Sequence, residues 1–340
     1  MRSTELSLKA DILAGGTLLV PRGLPIGVML SRSSAGPGAG STSLFLRVGS
    51  GIVRLPVVRE GPAPMELRGS RGGFDIISKG KVLARGVVPL SGGLHAPGQA
   101  FINLHDSCRF LCAFCTIGGH GKGPSPERWE AVIKEALRAR KVRAVAVTTG
   151  IPSTPSRACR DMARLVRSIR ADFPRVPIGV EPYTVDESDL LALRRAGADE
   201  LKLNIQCATD ELFRKVCPGL DREGIWRNLS AGVGLFGRGK VCSNLIIGLG
   251  ETDGDVLSAT ERLAGIGVAV NLRPLKIGPM NAPALEKALD RRPAKISAAR
   301  LLKLALAQKA VFEKHRLRPS VFHTMCHKCT ACDMEPFVDV

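Results

Sequence analysis

Apolar and polar positions change rhythm once along this chain. Between residues 17 and about 97, short apolar runs (17–20, 26–30, 43–48, 52–58, 74–77 and 82–88) alternate with Gly, Pro and Ser clusters. That rhythm predicts a small β-rich module. Residues 34–42, SAGPGAGST, read as a flexible loop by composition. After Gly92 and Gly93 the pattern becomes strand, loop, helix, repeated. Strands are predicted at 101–105, 143–148, 176–182, 200–206, 241–248 and 268–275, with helices at 126–140, 157–171, 187–196, 221–232 and 253–265. Ser125 precedes Pro126 as an N-cap before a helix-starting proline. Such alternation implies parallel strands joined by right-handed crossovers. Six strands make a partial barrel, with chemistry expected at the C-terminal strand ends. A last amphipathic helix, 297–316, is capped by Ser297 and ends in Lys, His and Arg.

Two groups of cysteines alter this picture. The loop after the first barrel strand, residues 105–119, reads HDSCRFLCAFCTIGG and sets Cys108, Cys112 and Cys115 at offsets of four and three, with Phe114 just before the last. Thiolates are soft ligands suited to iron–sulfur clusters, zinc or copper(I). Three thiols without a fourth nearby suggest a cluster with one iron left open. Near the C-terminus, FHTMCHKCTACD places Cys326, Cys329 and Cys332 at strict three-residue spacing. On spacing alone this second triad suits a cluster or a zinc ion, the latter completed by His323, His327 or Asp333.

Composition narrows the class. With 340 residues, 44% of them hydrophobic, the chain can bury a sizeable core, and no apolar run reaches the roughly 18 residues of a membrane span. The first residues make a poor signal peptide, so a cytoplasmic location is expected, where clustered thiols are metal ligands rather than disulfides. The formal charge is +18, and Arg157, Arg160, Arg164 and Arg167 fall on one helix face, with a second basic concentration at 291–318. These faces are either plain solvated surface or a docking site for an acidic partner. Nucleic acid is disfavoured: only 4% of residues are aromatic, and there is no helix-turn-helix or zinc-finger spacing.

CRFLCAFC resembles the cluster-binding loop of radical SAM enzymes. The resemblance implies a 4Fe-4S cluster on Cys108, Cys112 and Cys115, whose open iron is chelated by S-adenosylmethionine, and cleavage of that molecule to a 5′-deoxyadenosyl radical. It also implies the (β/α)6 partial barrel. The stretch CSNLIIGLGET at 242–252 is similar to the corresponding strand of biotin synthase, and LRRAGADELKLNIQCATDE and VAVNLRPLKIGPMNAP extend the likeness over roughly residues 101–285. The expected organisation is α/β: a β-rich N-terminal module at 1–97, a radical SAM partial barrel at 98–285, and a C-terminal helix with a cysteine-rich tail at 286–340.

Strand ends supply the remaining candidates. Thr148, Thr149 and Gly150 stand where the family's glycine-rich turn meets the methionyl amine, although the usual Gly-Gly-Glu is absent. Glu181 ends the third strand, where a carboxylate can accept from ribose hydroxyls or the amine. Asn204 and Gln206 alternate on the fourth strand and so share a side. Ile246, Gly248 and Glu251 resemble the adenine-contact motif, with Asn244 in place of a usual glycine. Biotin synthase itself is disfavoured. Cys242 matches one ligand of that enzyme's second, 2Fe-2S cluster, but the third strand offers no cysteine and no late arginine-bearing strand is apparent. Cys159, Cys207, Cys217 and Cys242 therefore read as buried thiols, with Cys207 and Cys242 candidates to face the cavity.

A second cluster in a biotin synthase-like barrel implies sulfur insertion, as in lipoyl synthases, where a cluster on three cysteines is the sulfur source. The chain lacks the bacterial lipoyl synthase layout, whose second cysteine set precedes the barrel, and more resembles a subunit of the two-component lipoyl synthase of archaea. The implied cofactors are S-adenosylmethionine, the radical SAM 4Fe-4S cluster and an auxiliary 4Fe-4S cluster. The implied partners are an acidic lipoyl-type carrier domain bearing octanoyl-lysine, a second radical SAM subunit, and an electron donor such as ferredoxin. Two alternatives stay open. One is another radical SAM reaction with an electron-relay or substrate-binding auxiliary cluster, as in proteins of nitrilase-linked gene clusters, which share FGRGKV and a C-terminal cysteine triad. The other is a basic, non-enzymatic iron–sulfur or RNA-binding protein.

Overall fold

The structure is a computed structural model that describes residues 3–32, 41–117 and 124–340. The flexible-loop reading of 34–42 falls almost wholly outside these residues, as do Gly118 and Gly119 at the end of the first cysteine loop.

The chain opens with a helix, α1 (Ser3–Gly15), followed by β1 (Leu18–Leu19), β2 (Ser31–Arg32), β3 (Thr42–Val48), β4 (Gly51–Val58), β5 (Met65–Ser70), β6 (Gly73–Ser78) and β7 (Lys81–Leu90). These strands form one seven-stranded sheet in the order β2-β3-β4-β1-β5-β6-β7, and a further β3–β7 pairing curls it on itself. Alternate residues such as Leu44, Leu46, Val53, Leu55, Leu67 and Ile76 fill its interior against Ile12 of α1. One local expectation needs correction, and two elements fall outside the expected runs. The run at 26–30 forms a short 3-10 turn, Gly27–Met29, rather than a strand. β5 was not anticipated, because MELRGS carries little apolar alternation. Nor was α1, whose apolar residues are spread around the helix rather than gathered on one face.

The second sheet is the partial barrel. β8 (His95–Ala96) pairs antiparallel with β9 (Gln99–Asn103), and β9 begins a parallel series. It continues through β10 (Ala144–Thr148), β11 (Ile178–Glu181), β12 (Glu200–Lys202), β13 (Val241–Ile247) and β14 (Val268–Pro274), each paired with the next. The crossovers are α2 (Pro126–Arg138), α3 (Pro155–Asp172), α4 (Glu187–Ala196), α5 (Asp210–Val216), α6 (Arg222–Phe236) and α7 (Asp253–Gly265). Caps set their starts: the side chains of Ser125, Thr154, Asp186, Thr209, Asp221 and Thr252 each accept from a first-turn backbone N–H. Six parallel strands with helices on the outside make the (β/α)6 partial barrel. The fourth is shorter than expected. β12 ends at Lys202, and Gln206 adopts a left-handed φ of 60° with only an isolated bridge to Leu245.

Beyond the barrel lie α8 (Ala282–Leu289), the anticipated long helix α9 (Ala298–Lys314), and a tail containing α10 (Met325–Cys329). The tail binds the starts of the barrel strands. Gln99 exchanges two hydrogen bonds with the Met325 backbone (2.8 and 3.0 Å). Buried Glu200 accepts from His323 N (2.7 Å), Thr324 N (2.9 Å) and Thr324 Oγ1 (2.6 Å). A Cβ on Gly179 would lie 2.1 Å from Thr324 Oγ1, so only glycine lets the tail lie this close to β11. Further on, Arg273 of β14 pairs with Asp333 at 2.8 Å, and Lys9 of α1 pairs with fully buried Asp339 at 2.5 Å. Strand starts, last strand and N-terminal helix thus clamp one tail.

Candidate active site

The first cysteine loop is held on the barrel by its backbone. Arg109 N donates to Ile151 O and Ala113 N to Val216 O, both at 2.8 Å, and Cys115 N turns back to Cys112 O at 2.9 Å. Gly150 N donates to His105 O at 2.9 Å, and a Cβ there would lie 2.3 Å from Ser107 O and 2.7 Å from His105 O. Gly150 is thus the surface on which the loop rests. His105 is steered by Asp161 of α3 at 3.2 Å. Asp161 also pairs with Arg157 and Arg164, so part of the basic face of α3 braces the loop. Arg157, Arg160, Arg164 and Arg167 all remain exposed.

Cys108, Cys112 and Cys115 are half-buried, form no disulfide and line a cavity of about 250 Å³. Phe114, Thr148, Thr149, Gly150, Glu181, Asn204 and Ile246 line it too, and so do Gln206 and Asn244. Gly248 is absent from that wall: its N–H donates to Glu251 Oε1 at 2.7 Å. Glu251 also accepts from the N–H groups of Leu249 and Gly250 and pairs with Arg300 at 3.1 Å. Its carboxylate is therefore spent on the turn after β13 rather than offered to a ligand. Asn244 Oδ1 is buried without a partner among the described residues, an acceptor aimed at whatever fills this space.

Two thiols of the second triad, Cys326 and Cys332, line the same cavity. Cys329 sits beside them, packed against Phe45, Ala96 and Ala331. Lys202 joins the two ends. It is buried, with its Nζ 3.2 Å from Glu181 Oε1 and 3.3 Å from Cys326 Sγ, while Asn204 donates to the same Glu181 oxygen at 2.6 Å. Burial opposes the ammonium, but Cys326 and Glu181 outweigh it and raise the Lys202 pKa. Around Cys332 the balance favours thiolate. Burial pushes the thiol up, yet Lys276, Arg273 and Arg54 bring it down to about 6. Cys329 is pushed up to about 12, first by burial and then by the charge of Cys332.

These donors fit iron–sulfur clusters. All six thiols are free of disulfides, and the cationic surroundings of Cys332 favour the ligating form. Among the described residues no three His, Cys, Asp or Glu side chains gather tightly enough to share a single ion. For the second triad the zinc alternative keeps one candidate fourth ligand: His327 Nδ1 is 2.8 Å from Glu335 while its Nε2 is buried without a hydrogen-bond partner among the described residues, whereas Asp333 is held by Arg273 and His323 is exposed.

The other cysteines are all buried, and neither Cys207 nor Cys242 reaches the cavity wall. Cys242 has the parity of Asn244 and Ile246 but lies deeper, beside Lys202 and Cys326, where burial pushes its thiol well up. Cys217, at the end of α5, touches the first triad: its hydrogen bond draws the Cys112 thiol below its usual range. Sequence reasoning missed Lys202, Arg54, His95, Arg273 and Lys276, all of which line the cavity. Lys202 had a signal in its alternation with Asn204 and Gln206.

Residues 102–263 match the family model of the radical SAM superfamily, so the chain carries a radical SAM domain. It is 28% identical over 177 residues to a lipoyl synthase of Pasteurella multocida, covering 50% of this chain and 54% of that one. A lipoyl synthase of Chloroflexus aurantiacus is 26% identical over 186 residues, covering 54% and 59%. The chain thus spans about half the length of the curated relatives it matches. Among solved structures, the FeFe-hydrogenase maturase HydG from Carboxydothermus hydrogenoformans is similar at a TM-score of 0.47 and 16% identity, covering 63% of this chain and 52% of that one. No described helix is long and apolar enough to cross a membrane.

Proposed function

We propose that this protein is a radical SAM enzyme that abstracts hydrogen from an unactivated carbon and inserts sulfur there, acting on an octanoyl chain carried on a lysine. One observation carries the reading: thiols of both cysteine triads line one cavity. A carbon radical must meet its sulfur donor before anything else quenches it, so donor and radical source have to share an enclosed space.

Cys108, Cys112 and Cys115 would hold the first 4Fe-4S cluster. Thr148, Thr149, Glu181, Asn204 and Ile246, with Phe114 behind the loop, would hold S-adenosylmethionine. Cys326, Cys329 and Cys332 would hold the auxiliary 4Fe-4S cluster. When bound, the first cluster and S-adenosylmethionine supply the 5′-deoxyadenosyl radical chemistry. The chain's own residues shape the space around it. Lys202 and Glu181 neutralise each other between the two ends, and the tail is anchored to the starts of the barrel strands. Lys202 at 3.3 Å also stabilises negative charge on Cys326.

The exposed arginines of α3 would receive an acidic carrier domain, with electrons from a ferredoxin-like donor and a second radical SAM subunit as a further partner. The test is anaerobic reconstitution with dithionite, S-adenosylmethionine and an octanoyl-lysine peptide. The reading requires 5′-deoxyadenosine together with peptide that has gained sulfur. Deoxyadenosine without sulfur would point to a different radical reaction, and neither product would remove the enzymatic reading.

A further inference from the structure

The cations around the second triad do not all have counter-ions. Arg273 is paired with Asp333 and Lys202 with Glu181. Two remain. Arg54 comes from β4 of the N-terminal module, where its backbone N–H donates to Ala331 O at 2.8 Å, between Cys329 and Cys332. It is 5% exposed and lines the cavity, yet its Nε and Nη2 are buried with no hydrogen-bond partner among the described residues. Lys276 lines the same wall, with its Nζ 3.9 Å from Cys332 Sγ and no carboxylate partner among the described residues. His95 stands nearby with Nδ1 also buried and unpartnered.

A guanidinium stays charged at any working pH; that of Arg54 lies over the Phe45 ring at 5.5 Å, and its open donors still call for an acceptor, for which an anion serves best because it also balances the charge. A cluster on three thiolates carries roughly one negative charge and so balances about one of the two cations. A second small anion is needed for the other. Because the triad provides no fourth thiol, a cluster held by Cys326, Cys329 and Cys332 would leave one iron open to such an anion.

We propose that Arg54 and Lys276 form an anion subsite at the second triad, and that the anion it takes is hydrosulfide. This rests on the reading of the second cluster as sulfur donor, which loses sulfide at each insertion and must regain it for another turnover. A reaction that releases inorganic sulfide, or one equivalent to it, must therefore supply this site. The N-terminal module acquires a function here: it carries the arginine of this wall that has no carboxylate partner among the described residues, whereas Arg273 of the barrel is paired with Asp333.

The experiment uses the full-length protein, reconstituted and freed of excess sulfide, in wild-type, Arg54→Gln and Lys276→Met forms. Sodium sulfide is titrated while iron content and the cluster's electron paramagnetic resonance spectrum are followed, with sodium acetate and sodium octanoate as parallel arms. Expected are about eight irons per chain in each form, a saturable spectral change with sulfide in the wild type, and binding weakened by about tenfold or more in either variant. If Arg54→Gln fails to retain iron, Lys276→Met decides. Sulfide binding that is unchanged in the variants, or absent in a wild type with both clusters, overturns the subsite. Equal response to acetate or octanoate reassigns it to a carboxylate and overturns the sulfide assignment. About four irons in the wild type would instead remove the second cluster, and the proposal with it.

Discussion

Replacing Glu200 with alanine should release the tail while leaving the barrel folded. Glu200 is buried at the start of β12 and accepts three hydrogen bonds from the tail, at 2.7, 2.9 and 2.6 Å. A hydrogen bond to a charged group contributes about 1.5–3 kcal/mol net, and neighbouring bonds on one carboxylate are not additive. A total near 4 kcal/mol is reasonable, which corresponds to about a thousandfold rise in the population with the tail detached. Hydrogen exchange reads this directly. Amides of residues 321–326 should exchange about a thousandfold faster, whereas those of β10, whose Val145 and Val147 are fully buried, should keep their protection. Glu200→Gln keeps one acceptor oxygen and should lose about half as much. Tail exchange in the alanine variant within about tenfold of wild type would refute the reasoning. So would loss of protection throughout the barrel, since Glu200 would then hold up the barrel itself.

Gly150→Ala places a Cβ 2.3 Å from one backbone oxygen of the cysteine loop and 2.7 Å from another, neither at the end of a flexible side chain. The variant should lose the first cluster and all deoxyadenosine production while keeping about four irons on the second triad. Lys9→Met leaves Asp339 buried without its cation, a loss of about 3–5 kcal/mol that thermal melting will show, and adding Asp339→Asn should recover part of it. Gly179→Val drives its side chain into Thr324 and Met325 and should mimic Glu200→Ala in the exchange experiment.

Much of the barrel was legible because its strands are short apolar runs bounded by helix caps, and both cysteine triads announce themselves by spacing. The fourth strand was read too long. KLNIQ keeps strand alternation, but the chain turns at Gln206, whose left-handed φ no strand accepts. Helices α5 and α8 were missed because seven or eight residues give too little periodicity to register. Glu251 looked like a ligand contact because its spacing fits one, whereas its partners are three backbone N–H groups within three residues. That thiols of both triads line one cavity could not be read at all. It depends on Gln99, Gly179 and Glu200, which look ordinary in sequence and hold a tail more than a hundred residues away. Arg54 left a fainter trace, as the one charge within the apolar strand IVRLPVV.

The central claim is that the second triad delivers sulfur to a carbon activated from the first. The most direct measurement is a single turnover by protein reconstituted with heavy-isotope sulfide, using an octanoyl-lysine peptide and high-resolution mass spectrometry. Heavy sulfur in the peptide, abolished by Cys326→Ala with deoxyadenosine still formed, is the predicted result. Deoxyadenosine from the intact protein with no labelled sulfur in the peptide would contradict it.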